Sequence, residues 1–225
     1  MNEITIKNIS VKDAEPWILL KHYAKRMPSI SYAYGSFRGN ELIGIVTYGT
    51  PSSSNLRVGV CGDKWQNCVI ELNRLCCENT KNVASMLVGR SLQLLPKPSV
   101  VVSYADTKQG HVGYIYQATN FIYTGLSAKR TDWKIEGMEH LHGTTIADKS
   151  RGHENRAEWM RQTYGDKFYL EQRSRKHRYV FFCGNKTQKK KMNDDLKYPI
   201  EQYPKGKSDT YDASSKIIKQ DSFNF

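Results

Sequence analysis

The sequence predicts an α/β (α+β) fold, in which a mixed, mostly antiparallel central sheet is flanked by helices and followed by a basic C-terminal extension. Three observations predict it. Several short segments alternate between apolar and polar residues as strands do, and two longer segments carry apolar residues at helical spacing. Lysine and arginine are concentrated in the last third of the chain. The predicted order of elements in the core is β-α-β-β-β-α-β-α-β.

The first four elements occupy residues 4–48. Ile4–Ile9 alternates as a strand, and Ser10 caps a helix that is predicted to end at Pro28. Ser31–Phe37 and Leu42–Tyr48 are predicted to form a hairpin, because the four residues between them include a glycine and an asparagine that tolerate positive φ. Two adjacent antiparallel strands therefore follow the first helix.

The next three elements form the centre of the predicted sheet and one covering helix. Asn67–Leu75 is predicted to be a strand. Asn79 or Asn82 caps a helix with apolar residues at helical spacing, which stops before proline 96. Ser99–Tyr104 is β-branched and apolar, which indicates a buried strand.

The remaining elements are shorter and lead into the basic extension. A short helix is predicted over Gly110–Ala118, a strand begins at Phe121–Tyr123, and Arg178–Phe182 is strand-like. Residues 185–225 hold nine lysines and few aliphatic residues, which is typical of a wrapping or partly disordered tail. The predicted boundaries are 1–184 for a single domain, 1–128 for its core motifs, 129–184 for the extension and 185–225 for the tail.

Charge and composition argue against an acidic disordered chain and against a membrane protein. The chain has 34 Lys and Arg against 22 Asp and Glu, a net charge of +12, which favours a polyanionic partner. An apolar fraction of 39% is sufficient for a packed core. No apolar run approaches the roughly 20 residues of a membrane helix, so no membrane partner is expected.

The cysteines and the N-terminus predict a cytoplasmic protein. Five cysteines, with Cys76 and Cys77 adjacent, make a poor disulfide framework, which indicates a reducing compartment. The first ten residues lack the charged and apolar regions of an export signal. The cysteines and histidines form no CxxC or HxxxH pair, so a structural zinc site is not predicted.

Two family resemblances follow from the motifs. Residues 115–121, Ile-Tyr-Gln-Ala-Thr-Asn-Phe, resemble the LYxxxGF stretch of GNAT acyltransferases, with Asn120 where glycine is usual. Five further segments resemble the Mom family of phage DNA-modification proteins over roughly residues 15–130: Lys21-His22-Tyr23, Tyr32-Ala-Tyr34-Gly35, Glu71-Leu-Asn-Arg74-Leu75, Ser103-Tyr-Ala-Asp106 and Gly110-His-Val-Gly113-Tyr-Ile-Tyr116. The second resemblance implies conversion of adenine in duplex DNA to N6-carbamoylmethyladenine, which protects phage DNA from restriction, in the cytoplasm of the host.

The resemblance assigns catalytic candidates, each of which also has a structural alternative. Asp106 takes the N6 proton or orients the base, or it caps the backbone of residues 108 or 109. Tyr116 protonates the leaving group or binds adenine, or it is a core tyrosine. Ser103 forms a hydrogen bond with the substrate, or it is an ordinary serine of the sheet. His22 and Tyr23 lie near the entry of the acceptor, and His22 is a weak candidate for an iron ligand. His111, at the start of a helix, is a candidate neutral base.

The donor is left open between two classes. GNAT proteins that use acetyl-CoA cradle its pyrophosphate with a glycine-rich loop, but the corresponding residues 78–85 contain no glycine. Arg74, Lys81 and Asn120 are the candidates for donor binding, although Arg74 could instead pair with Glu71 or Glu78. Glycyl-tRNA is the other donor, because a glycyl group on N6 can rearrange to a carbamoylmethyl group through attack of its amine on C6.

Duplex DNA is the predicted partner, with tRNA as a second nucleic acid and a homodimer left open. Phosphate contacts are predicted for Arg173, Arg175, Lys176 and Arg178, for which a solvated charged face is the alternative. Adenine in a duplex must be flipped out, and Tyr32, Tyr34, Tyr48 and Trp133 are candidates to stack on it. Two rival functions are a CoA-dependent GNAT N-acetyltransferase of a small molecule or protein, and a non-enzymatic nucleic-acid-binding protein.

Overall fold

A computed structural model of the chain describes residues 3–141 and 143–206. These residues divide into two compact units, a larger one within residues 3–125 and 177–206 and a smaller one within residues 126–141 and 143–176. The larger unit is built on a seven-stranded sheet with the order β1-β2-β3-β4-β5-β9-β6. The neighbours β1 to β4 are antiparallel, and β4 and β5 are parallel. The predicted mixed, mostly antiparallel sheet with flanking helices is therefore confirmed.

The elements follow the predicted order with additions. The strands are β1 (Ile4–Asn8), β2 (Tyr32–Arg38), β3 (Glu41–Gly49), β4 (Val69–Cys77), β5 (Ser99–Asp106), β6 (Ile122–Leu126), β7 (Thr131–Ile135), β8 (Phe168–Gln172) and β9 (Lys176–Cys183). The α-helices are α1 (Val11–Pro16), α2 (Ser54–Cys61), α3 (Val83–Leu94), α4 (Tyr114–Ala118), α5 (Gly143–Asp148), α6 (Arg156–Tyr164) and α7 (Lys186–Asp194). Short 3-10 turns lie at Asp63–Cys68, Thr107–Gln109 and Gly165–Lys167.

Two hydrophobic layers cover the faces of the large sheet. Successive side chains of β5 and of β9 point to opposite faces of the sheet. Val101 and Tyr179 therefore pack on one face with α3 and α4, whereas Val100 and Val180 pack on the other. The second side is covered by α2 and by α7, whose Met192 is fully buried. The chain therefore buries both faces of its central strands, as their nearly continuous apolar sequence predicts.

The first helix is shorter than predicted. It begins at Ser10 with a capping box, but after Pro16 it continues only as a π-helical turn over Trp17–Lys21. The helix ends because the imidazole Nδ1 of His22 accepts the backbone N–H of Ala24 at 3.0 Å, which replaces the next helical bond. The predicted end at Pro28 is wrong for this reason.

Helix α2 was not predicted from the sequence. It is eight residues long and contains Gly59 between two valines, a composition with low helix propensity. Packing stabilises it instead, since Val60, Cys61 and the nearby Trp65 are buried against the sheet. The short helix α4 also begins later than predicted, because Gly110 and Gly113 have positive φ values of 66° and 80°.

The C-terminal segment, predicted as a wrapping or partly disordered tail, begins with helix α7, which was not predicted from the sequence. Asn185 and Gln188 form a capping box at the start of α7, and Lys197 beyond it donates its N–H to Val60 O in α2 at 2.8 Å. Glu201 donates its N–H to Tyr123 O at 3.0 Å, and the Tyr203 hydroxyl donates to Phe121 O at 2.6 Å. The remainder of the predicted tail, residues 207–225, lies outside the described residues.

The smaller unit has its own core within the predicted extension. Strands β7 and β8 form an antiparallel pair with helices α5 and α6. Ile135, Ile146 and Met160 are buried together in this unit. The extension therefore separates into residues 126–176 and strand β9, which enters the large sheet between β5 and β6.

No helix among the residues that the structure describes is both long enough and apolar enough to cross a membrane.

Candidate functional site

The candidate site lies where two central strands separate. Strand β4 pairs with β5 from Val69 to Leu72, opposite Val100 to Ser103. Both strands continue, to Cys77 and Asp106, beyond the last pair of this register. Residues 73–77 and 104–106 are therefore not paired with each other, and the carboxyl ends of sheet strands are where α/β proteins bind ligands.

Tyr116 is held at this separation by helix α4. Its side chain is 9% exposed, and its ring lies 5.2 Å from that of Tyr179 and 5.3 Å from that of Phe121. Its hydroxyl is hydrogen-bonded to Ser103, whose own hydroxyl donates to Leu72 O at 3.0 Å. Burial raises the pKa of Tyr116 to about 12, against a smaller lowering by the bond to Ser103. Tyr116 therefore keeps its proton at neutral pH.

Asp106 ends strand β5 next to the same site. Its Oδ1 accepts the backbone N–H of Lys108 at 2.9 Å, so the capping alternative is confirmed. A carboxylate has further acceptor positions after making one such bond. Burial, and secondarily the charge of Asp106, raise the pKa of the Tyr23 hydroxyl. The cap and a role in the site are therefore compatible.

His22, Tyr23 and His111 form an aromatic row beside Asp106. The rings of His22 and Tyr23 are stacked with centroids 4.4 Å apart, and the ring of His111 meets that of Tyr23 edge-on at 6.0 Å. Burial lowers the pKa of His22 to about 3, with smaller contributions from Arg74 and His111. His22 is therefore neutral at physiological pH. We call Tyr23, Ser103, Asp106, His111 and Tyr116 the Tyr116 cluster.

The residues present do not fit an iron centre at His22. Its Nδ1 already accepts a hydrogen bond from Ala24, which leaves only Nε2 as a ligand. Across residues 3–141 and 143–206, no group of three or more His, Cys, Asp or Glu side chains is arranged to hold a metal ion. The predicted iron site therefore finds no ligand set here.

Arg74 binds backbone carbonyl groups. Its Nη2 and Nε donate to Arg26 O at 2.7 and 3.3 Å, and its Nη1 donates to Asn73 O at 2.7 Å. These bonds fasten the loop after the first helix to strand β4. Arg74 is half-buried in this position, and its role in holding that loop was not among the predicted alternatives.

The other two predicted donor-binding residues are not part of the Tyr116 cluster. Lys81 lies exposed in the loop between β4 and α3, and Asn120 has φ 61° just after α4. Near Lys81 the structure adds a cation that the sequence did not indicate, because Arg38 Nη2 donates to Thr80 Oγ1 at 3.0 Å. Donor binding by Lys81 and Asn120 stays a prediction.

The predicted phosphate-binding residues have internal partners. In the smaller unit, Arg173 pairs with Asp132 at 3.2 Å, and Arg175 Nε donates to Ser127 O at 2.7 Å, next to Lys176. In the larger unit, Arg178 donates to the Thr124 side chain and carbonyl, both at 2.9 Å, and lies over the ring of Tyr198. These contacts stabilise local structure, and their role in phosphate binding stays a prediction.

Two of the predicted stacking residues belong to the core. Tyr48 is 0% exposed and shares a 2.6 Å hydrogen bond with Ser91, and Tyr34 is 3% exposed. Neither ring has a free face for a base, so these two predictions are wrong. Their burial was predictable from the sequence, because the alternation of side chains in the hairpin strands places both tyrosines on the face covered by α3.

Tyr179 is a site residue that the sequence analysis missed. Its hydroxyl donates to Val112 O at 2.5 Å and accepts from Gln117 Nε2 at 3.1 Å. It therefore anchors the turn that carries His111 while its ring packs against Tyr116. A Cβ at Gly113 would lie 2.4 Å from this ring, so the turn approaches it as closely as glycine allows.

Fold and site together define a mixed α/β protein with a tyrosine-containing site at the divergence of two parallel strands. The Mom protein family matches residues 3–205, and the chain belongs to this family. The methylcarbamoylase Mom of Escherichia phage Mu is 29% identical over 210 residues, which cover 90% of this chain and 84% of that protein.

Several solved acetyltransferases are also similar to the chain. One is an acetyltransferase from Bacillus subtilis in complex with CoA, 12% identical with a TM-score of 0.43, covering 80% of this chain and 99% of that one. Another is a GNAT family acetyltransferase from Elizabethkingia anophelis with acetyl-CoA bound, 10% identical with a TM-score of 0.43, covering 81% and 99%.

Proposed function

We propose that this protein modifies adenine in duplex phage DNA to N6-carbamoylmethyladenine by acyl transfer to the exocyclic amine of a flipped-out base. The proposal is supported by membership of the Mom family and by the relative from phage Mu, which is named a methylcarbamoylase. The observation that carries it is the Tyr116 hydroxyl, protonated and hydrogen-bonded to Ser103 at the strand divergence. A net charge of +12 is suited to a DNA partner.

In the proposed reaction, the adenine N6 attacks the carbonyl carbon of an activated glycyl group. The C–N bond forms as the bond to the leaving oxygen or sulfur breaks. Asp106, or His111 beside it, accepts the proton that N6 loses, and Tyr116 donates a proton to the leaving group. With a pKa of about 12, the Tyr116 hydroxyl is protonated at neutral pH, so it cannot serve as the base there.

The second step converts the glycyl amide into the final substituent. The free amine of the glycyl group attacks C6 of the purine, and the bond between C6 and the original N6 then breaks. The original N6 leaves C6 as the carboxamide nitrogen, so the step is an isomerisation that loses no atoms. Its product is a carbamoylmethyl group attached through the nitrogen of glycine.

Two donor classes supply an activated glycyl group: glycyl-tRNA, as an ester, and an acyl-CoA, as a thioester. The glycine-free loop at residues 78–85 disfavours the pyrophosphate cradle of an acyl-CoA. The backbone N–H of Val83 there is already donated to Thr80 O at 3.2 Å. We therefore propose glycyl-tRNA as the donor and test acyl-CoA beside it.

Mass spectrometry of nucleosides from plasmid DNA tests the function. Wild-type protein and Asp106→Asn are expressed in bacteria fed with ¹⁵N-glycine. We expect a modified deoxyadenosine with the carbamoylmethyl mass in the wild type and little in the variant. Because the glycine nitrogen ends on C6, fragmentation that removes the carboxamide should leave the purine with one ¹⁵N more than unmodified deoxyadenosine from the same DNA, whose ring also takes up glycine nitrogen.

The outcomes separate the proposal from its rivals. Unmodified adenine with a folded wild-type protein would overturn DNA modification and leave the acetyltransferase and the binding protein. A label in the carboxamide would overturn the rearrangement. Purified protein supplied with either glycyl-tRNA or a glycyl-CoA thioester then identifies the donor, since only one should support modification.

A further inference from the structure

A groove separate from the Tyr116 cluster lies on the α3 and α4 side of the large sheet. Its volume is about 500 Å³, within the range of sites that bury a small ligand. Three elements and the start of a fourth form it: the outer face of α3, the end of α4, the end of β9 and the first turns of α7. We call it the α3–α7 groove.

The groove combines an apolar wall with cations. Met86 and Phe181 contribute apolar surface, and Gly89 leaves space between them and the end of α4. Lys97 and Lys189 are exposed and line the groove, and Lys189 Nζ lies 5.7 Å from the centre of the Phe181 ring. None of the described residues that line it is acidic.

The charge of the surrounding sequence has the same sign. Between Glu78 and Asp132 the chain contains a single carboxylate, Asp106, and that residue belongs to the Tyr116 cluster. Lys97 and Lys189 both act on the same thiol, since each lowers the pKa of Cys183, which burial raises overall to about 11. Two ammonium groups therefore face one end of the groove with no acidic neighbour among its lining residues.

We propose that the α3–α7 groove binds an unpaired segment of a single-stranded nucleic acid, with its phosphate at Lys97 and Lys189 and a base against Phe181 and Met86. Single-strand sites combine a positively charged groove with an aromatic side chain on which a base stacks. A base within a duplex cannot stack on such a side chain, because the neighbouring bases cover both of its faces. The volume holds about one or two nucleotides, by comparison with ordinary ligand sites.

The inference does not depend on the proposed function, because it concerns binding and not group transfer. The same chemistry has two sources, a DNA strand or an RNA strand, and the experiment distinguishes them. Fluorescein-labelled tetraadenylates of DNA and of RNA are titrated with the full-length protein, and anisotropy is measured at several salt concentrations. We expect saturable binding of at least one of them that weakens as salt increases.

The decisive variant is the double change Lys97→Gln with Lys189→Gln. Both lysines are exposed, so the protein should remain folded, and we expect affinity to fall at least about tenfold. The matched control is Lys7→Gln with Lys12→Gln, which removes the same charge from the first strand and helix. Lys7 also lies 5.7 Å from a phenylalanine ring, that of Phe37, so the control reproduces the local contact without the groove.

Equal losses in the two double variants would overturn the proposal, because net charge alone would then explain binding. A loss of tetranucleotide affinity in Tyr116→Phe as large as that in the lysine variant would place the strand at the Tyr116 cluster instead and overturn the proposal. Failure of both tetranucleotides to bind would also overturn it. The tighter of the two arms assigns the groove to DNA or to RNA.

Phe181→Leu provides a second measurement. It preserves an apolar wall but removes the aromatic face, so we expect the tetranucleotide to bind about tenfold more weakly. Circular dichroism checks the fold of this variant, since Phe181 also packs against Phe121 at 5.2 Å. Adenosine monophosphate binding as tightly as the tetranucleotide would show a small-molecule site and contradict the proposal.

Discussion

Leu72 and Ser103 are the last paired residues of β4 and β5, and the Ser103 hydroxyl also donates to the carbonyl of Leu72 at 3.0 Å. The side chain therefore takes up a backbone acceptor at the point where the ladder ends. The same hydroxyl is bonded to that of Tyr116, and this bond lowers the pKa of Tyr116, which burial raises overall to about 12. The separation of two strands is in this way connected directly to the proposed acid.

Tyr116→Phe should abolish most modification with little effect on folding. The ring contacts with Phe121 and Tyr179 remain, so the free energy of unfolding should change by no more than about 1 kcal/mol. Loss of a positioned proton donor should lower the rate about 100-fold or more. Nucleoside mass spectrometry and urea unfolding measure the two effects. Tyr123→Phe, which removes a hydroxyl bonded to His177, is the control and should stay active.

Asp106→Asn and Asp106→Ala should separate the cap from the chemistry. Asparagine retains an oxygen that can accept the N–H of Lys108, so only the alanine variant should lose about 1 kcal/mol of stability. Both variants lack the carboxylate, and both should lose modification if Asp106 accepts the proton. An active asparagine variant would leave Asp106 with the structural role alone.

His22 should make stability depend on pH below neutrality. Its pKa is lowered from 6.5 to about 3 in the folded protein, so between these values the unfolded chain binds a proton that the folded chain does not. Stability from this group is complete above pH 6.5 and falls as the pH decreases toward 3, by up to about 1.4 kcal/mol per pH unit.

The test is urea unfolding of wild type and His22→Asn at pH 7, 6 and 5. Asparagine offers an oxygen near the position of Nδ1 and can keep the bond from Ala24, but it does not titrate. The difference in stability between the two proteins should therefore shrink as the pH falls. A difference that is constant with pH would mean that His22 titrates normally.

Tyr179→Phe should impair the site indirectly. The variant keeps the ring beside Tyr116 but releases Val112 O, and with it the turn that carries His111. We expect modification to fall about tenfold or more, since small displacements of catalytic groups are costly. Tyr203→Phe removes a hydroxyl bonded to Phe121 O but leaves the bond from Tyr179 to Val112 O in place, so it should stay closer to wild type. Equal activities of the two variants would contradict a positioning role for Tyr179.

Local sequence determined the element types and most of the Tyr116 cluster. The alternation of Ile4–Asn8, the spacing along α3 and the apolar run of β5 are short-range signals, and the structure confirms all three. Asp106 and Tyr116 were found because each lies in a recognisable motif at the end of an element. A capping role for Asp106 was also predictable, because it depends on a residue only two positions away.

Tertiary structure alone decided the partners of the long polar side chains and the order of the strands. The sequence analysis predicted that Arg74 and Arg178 bind phosphate groups. In the structure, the Arg74 guanidinium group donates to a carbonyl 48 residues away, and that of Arg178 to one 54 residues away. Strand β9 enters the sheet between β5 and β6, which brings Tyr179 to Tyr116, a residue 63 positions earlier in the chain. Short-range patterns report burial and backbone conformation, whereas such long-range contacts exist only after the layers have packed.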